Sequence, residues 1–101
     1  MRLVDHKAMK RCRERGYCEY CAAYGDNRCS GTALHAAHIF SRGAGQVDID
    51  GNLATLGAAC HWDSHNGKIT RDELLAIVAK RERTTPEAIE AEVWRIRRLP
   101  K

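Results

Sequence analysis

The clearest hydrophobic pattern lies in the C-terminal third. Leu74, Leu75, Ile77 and Val78 recur at helical spacing behind Thr70-Arg71-Asp72-Glu73, whose Thr and Glu three apart form a capping box. This predicts a helix from about Arg71 to Arg83. Thr84-Thr85-Pro86-Glu87 restarts the chain with a threonine cap and a proline in the first turn. Ile89, Val93, Trp94, Ile96 and Leu99 then form an apolar stripe over a second helix to about Arg98. Both stripes read as core-facing, so the pair is a scaffolding hairpin. Upstream the pattern is shorter in period. Residues 4–15 predict a basic helix ended by Gly16, and residues 17–31 a loop carrying Gly25, Asp26, Asn27 and Gly31. Ala33–Phe40 and Asn52–Leu56 predict two short strands around a glycine-containing loop at Ser41–Gly51. Ala58–Asn66 predicts a helix closed by Gly67.

At 101 residues the chain has room for one core, modest enough that a structural metal would be a natural supplement. No apolar run approaches the roughly 20 residues of a membrane span, and the basic N-terminus lacks the apolar stretch of a secretory signal. A soluble, cytoplasmic protein is expected. The net charge of +4 is unevenly spread: residues 1–15 and 95–101 are each net +4, and residues 16–94 net −4. Basic ends suit contacts with a polyanion, and solvated helix faces explain them equally well.

Five cysteines fit poorly with a disulfide framework. Cys18 and Cys21 form a C-x2-C pair, a spacing that grips zinc in an intracellular chain. Four of the five histidines, His35, His38, His61 and His65, fall within 31 residues, together with Asn52 and Cys60. His61 and His65, four apart on a helix, share a face and can hold one cation. Imidazole nitrogen suits zinc, nickel, manganese or cobalt, and an asparagine carbonyl adds a hard oxygen.

The order of strand, glycine loop, strand and helix, with His38 before the loop and His61 within the helix, is that of a ββα-metal finger. Residues 37–68, AHIFSRGAGQVDIDGNLATLGAACHWDSHNGK, resemble the HNH motif of the His-Me finger nucleases. His-Ile begins the motif, Asn-Leu-x-x-Leu forms its middle and Cys-His opens its helix. The likeness covers about a third of the chain, and Cys18/Cys21 extend it to half. It implies a small α+β domain over 1–101: a basic helix (1–16), a zinc knuckle with the ββα-metal core (17–67), and two C-terminal helices (68–101). His38 would be the general base. Asn52 would orient the base or ligate the metal, and His61 would be the main cation ligand, with His65 matching the second helix histidine of the colicin-type branch. The catalytic cation would be Mg2+, Mn2+, Ni2+ or Zn2+.

The chain departs from that pattern twice. Family members carry Asp, Glu or His just before the base, where this chain has Ala37; either His35, on the same strand face, or His65 must supply the missing ligand. Zinc-containing members also place a second C-x2-C at positions equivalent to 57 and 60, where this chain has Gly57 and Cys60. A tetrahedral site needs four ligands, so Cys18, Cys21, Cys29 and Cys60 are the expected structural zinc set. Cys12 is expected to be a buried small hydrophobe. His6 should be a surface residue, Trp62 and Trp94 packing residues, and Tyr17, Tyr20 and Tyr24 a cover over the knuckle.

The resemblance implies an endonuclease that nicks or cuts DNA with low sequence specificity, because a ββα finger reads mainly phosphates and groove shape. Candidate DNA contacts are Arg42, Lys10, Arg13 and Lys68. Dimerisation would add specificity and allow double-strand cleavage. Small free-standing members resemble bacteriophage nucleases acting in packaging or recombination in the bacterial cytoplasm. A catalytically inactive zinc module binding DNA or a protein is the alternative, favoured by the loss of an acid at position 37. An RNA nuclease is a third reading.

Overall fold

The computed structural model describes residues 3–41 and 45–99. Among them are five α-helices and one two-stranded antiparallel sheet, a small α+β arrangement. Helix α1 (His6–Arg13) begins at Asp5, whose carboxylate accepts the amides of Lys7 and Ala8. Helix α2 (Glu19–Tyr24) follows, then strand β1 (Leu34–His38), a 3-10 turn (Asp50–Asn52), strand β2 (Leu53–Gly57) and helix α3 (Ala58–His65). Helices α4 (Arg71–Arg81) and α5 (Pro86–Arg97) complete the chain. The predicted capping box is made: the Thr70 hydroxyl accepts the Glu73 amide at 3.2 Å, and the Glu73 carboxylate accepts the Thr70 amide at 3.1 Å. Thr85 caps α5 through the Ala88 amide. No helix of the described residues is long and apolar enough to cross a membrane.

The stretch read as a loop over 17–31 contains α2. Its six residues are too few for an apolar period to show, and Gly25 ends it in the left-handed region at φ 66°.

The register pairs His35 with Leu56, Ala37 with Ala54 and His38 with Leu53. Alternation then puts His35 and Ala37 on one face of β1, and Ala36 and His38 on the other. Helix α1 covers the second face, where Ala8, Cys12 and Leu53 are buried with Ala36 and Met9 packed against them. The larger core lies on the first face and joins Ala37, Ala54, Leu56 and Phe40 to Leu74, Val78, Val93 and Ile96. Cys12 is buried as expected, its carbonyl accepting the Thr55 hydroxyl at 2.6 Å.

Glu19, inside the cysteine pair, is buried and ties three elements together. Its Oε1 meets Arg81 at 2.6 Å and Arg15 at 3.2 Å, and accepts the Thr55 amide at 2.9 Å. A carboxylate this buried is tolerated because two guanidiniums and an amide satisfy it.

The two tryptophans expected to pack in the core are exposed instead. Trp62 is 68% exposed and Trp94 42% exposed, as is Leu99 at 41%. The buried face of α5 is Ile89, Val93 and Ile96, and Trp94 lies one residue beyond it. Of the three tyrosines only Tyr20 packs on the core, its hydroxyl donating to Glu73; Tyr17 and Tyr24 are exposed.

Candidate metal centre and histidine cavity

Cys18, Cys21, Cys29 and Cys60 are all buried, and their sulfur atoms lie within 4.8 Å of one another. Among the described residues this is the one group of three or more Cys, His, Asp or Glu side chains close enough to share an ion. It can hold a metal ion such as zinc, which takes four thiolates in structural sites. Cys18 and Cys21 come from the start and first turn of α2, Cys29 from the following turn and Cys60 from the first turn of α3. Burial pushes the Cys60 and Cys21 thiols up. Burial also opposes ionisation of Cys29, but the Cys60 amide and neighbouring thiols outweigh it and hold Cys29 down. The Arg28 guanidinium lies 3.4 Å from the Cys60 sulfur and pairs with Asp63, linking the cluster to α3.

Gly57 explains how Cys29 comes to be in this group. A Cβ built on Gly57 would lie 2.3 Å from the Cys29 Cβ and 2.6 Å from its sulfur. Cys29 therefore occupies the space that a cysteine at position 57 would need.

Three histidines, His38, His61 and His65, line a cavity of about 570 Å³ together with Ala36, Ala37, Ile39 and Arg71 among others. Four consecutive residues, Ala36–Ile39, line it, so side chains from both faces of β1 and its end reach one space. This is how His38, on the α1 face of the strand, comes to share a space with α3.

His38 donates or accepts through Nε2 at 2.6 Å from Asp48, and only 7% of its side chain reaches solvent. Asp48 is 1% exposed and also accepts the Asp5 amide at 2.8 Å and the Gln46 side chain at 3.0 Å. Burial works against its ionisation, but the hydrogen bonds from His38, Asp5 and Gln46 prevail and hold its carboxyl below the ordinary range. Sequence reasoning missed Asp48, which lies in the glycine-containing loop. The available signal was an acid between Val47 and Ile49.

His61 faces two histidines with different nitrogens. Its Nδ1 is 2.6 Å from Nδ1 of His35, and its Nε2 is 3.2 Å from Nε2 of His65. Burial lowers the His61 pKa, with its two neighbours adding to the effect.

Asn52 is not placed to ligate a cation. It is fully buried, its Oδ1 accepting the Phe40 amide at 2.7 Å and its Nδ2 donating to the Val47 carbonyl at 2.9 Å. Its amide braces the loop between the strands, since those backbone groups have no ladder partner.

Lys10, Arg13 and Lys68 are exposed, with Lys10 3.7 Å from Glu14. Arg13 stands four residues from Met9, which lines the cavity, and so shares its side of α1. Arg42 lies outside the described residues. Arg71, not singled out from the sequence, lines the cavity with its guanidinium 5.0 Å above the Phe40 ring. His6 is exposed, as expected.

No family model, curated protein or solved structure matches the chain.

Proposed function

We propose that this chain is an HNH-type, metal-dependent endonuclease that hydrolyses phosphodiester bonds in DNA, built on a ββα-metal finger with a structural zinc on its four cysteines. The observation that carries the reading is the shared cavity: His38, braced by a buried carboxylate, opens onto the same space as the paired nitrogens of His61 and His65.

In this reading Asp48 accepts the Nε2 proton of His38. The Nδ1 lone pair is then free to take a proton from an attacking water, the step of a general base. A divalent cation on His61 and His65 would bind the scissile phosphate and stabilise the charge that builds on it and on the leaving oxygen. Arg71 places a fixed positive charge at the cavity for a phosphate oxygen. Lys10, Arg13, Lys68 and Arg42 are the proposed backbone contacts. Partners proposed with DNA are a second copy of the chain and phage packaging or recombination proteins, in a bacterial cytoplasm.

Ala37 supports the second reading, an inactive zinc module that binds DNA or a protein, because a buried alanine offers no ligand beside the base. Plasmid nicking by the zinc-loaded protein with Mg2+, Mn2+ or Ni2+ separates the two. The nuclease reading expects relaxation of supercoiled DNA and a loss of about 10²–10⁴-fold in His38→Ala. Equal rates in wild type and variant, or none with any cation, would remove it. RNA and single-stranded DNA run in parallel identify the preferred substrate.

A further inference from the structure

The three clustered histidines cannot all hold one ion. His61 turns Nδ1 toward His35 and Nε2 toward His65, and the two nitrogens of one imidazole point away from each other. An ion shared by His61 and His65 therefore has His35 on the far side of the His61 ring.

The two spacings say which side takes the ion. With metal–nitrogen bonds of about 2.05 Å, nitrogens 3.2 Å apart subtend about 103° at the ion, close to the tetrahedral angle. Nitrogens 2.6 Å apart would subtend only about 79°, below even the octahedral right angle, whereas 2.6 Å is a short hydrogen bond. The cavity agrees, since His61 and His65 line it and His35 is absent from its lining.

We infer that His35 is a positioning residue: its Nδ1 accepts the Nδ1 proton of His61, fixing the tautomer and ring orientation that aim Nε2 of His61 at the cavity. Metal-binding histidines commonly give their second N–H to a carboxylate or carbonyl. Here a neutral imidazole, on the strand face where the acidic ligand is missing, takes that part. The inference rests on the cation site proposed above, and it assigns the missing ligand to His65.

The test uses zinc-loaded protein in two measurements. The first, without added cation, is a long-range proton–nitrogen NMR correlation of the histidine rings. His61 should carry its proton on Nδ1 in the wild type, shift toward Nε2 in His35→Leu, which keeps bulk but removes the acceptor, and return in His35→Asn, whose Oδ1 falls near the lost Nδ1. The second is a Co2+ titration followed by calorimetry and visible absorption. His35→Leu should weaken binding by about 10–100-fold while leaving the saturated absorption band unchanged, and His35→Asn should recover most of the affinity. His65→Ala should change the band itself.

The inference is overturned if His35→Leu alters the band as His65→Ala does, if it binds Co2+ like the wild type, or if the His61 tautomer is the same in all three proteins. Should the wild type and His61→Ala both fail to bind Co2+, the cation site of the proposed function falls with it. Co2+ binding with no His35 effect removes this inference alone. Retained circular dichroism in both His35 variants certifies their fold.

Discussion

Exchanging Cys29 and Gly57 tests whether the four sulfurs form one interchangeable ligand set. In Gly57→Cys alone the new Cβ would start 2.3 Å from the Cys29 Cβ and 2.8 Å from the Thr32 hydroxyl, so Cys29 must leave its place. Structural zinc contributes roughly 10–16 kcal/mol in apparent binding, or about 2.5–4 kcal/mol for each of four ligands. Overpacking adds about 1–3 kcal/mol. The new cysteine brings its own sulfur to the cluster, so the single variant should lose no ligand and about these 1–3 kcal/mol, a sizeable part of the stability of an ordinary small domain. Cys29→Gly opens space but removes one ligand, costing about 2.5–4 kcal/mol and lowering Tm by about 10–30 °C. In the double variant, Cys29→Gly with Gly57→Cys, the new side chain enters the vacated volume and delivers a sulfur to the same cluster. The two losses should then largely cancel. Zinc content by mass spectrometry and thermal melting by circular dichroism, each repeated with excess chelator, read the outcome. Wild type and double variant should hold one zinc per chain and melt far lower once stripped. A double variant as unstable as the sum of its parts would refute the shared-volume argument. Full zinc occupancy with unchanged melting in Cys29→Gly would remove Cys29 from the ligand set.

Asp48 should make the fold sensitive to acid. Its carboxyl is held below the ordinary value of 3.8, so the unfolded chain binds the proton more readily. The resulting stabilisation is fully present above that value and is lost as pH falls through the lower folded pKa. Urea midpoints across that range should flatten in Asp48→Asn, whereas an unchanged slope would show that other carboxylates carry the effect. In Asn52→Ala, the Phe40 amide and the Val47 carbonyl lose their buried partner. The expected cost is about 2–4 kcal/mol with Co2+ affinity unchanged at saturation, and a selective loss of Co2+ binding would restore Asn52 as a ligand.

The sequence alone determined the elements whose signals are local. The capping box at Thr70, the threonine–proline start of α5 and the apolar periods of both helices depend on residues within one or two turns, and the structure contains those helices. The two strands and α3 were legible from the same short-range patterns, with bounds shifted by a few residues. The spacing of Cys18 and Cys21 announced a knuckle, and the family pattern added Cys60. Cys29 could be named only as the remaining cysteine nearby. Tertiary structure decided the rest, because the deciding contacts join distant segments. Gly57 makes room for Cys29 only once β2 is packed beside the knuckle. Asp48 reaches His38 only in the folded chain, where its carboxylate also meets the Asp5 amide at the start of α1. Asn52 was legible as important, but its direction was not: whether an amide turns toward a cation or toward unpaired backbone depends on what the folded loop leaves unsatisfied. The histidines were visible as a group from their spacing. Which nitrogen of His61 meets which neighbour follows from the register of β1 against β2 and the packing of α3 on the sheet.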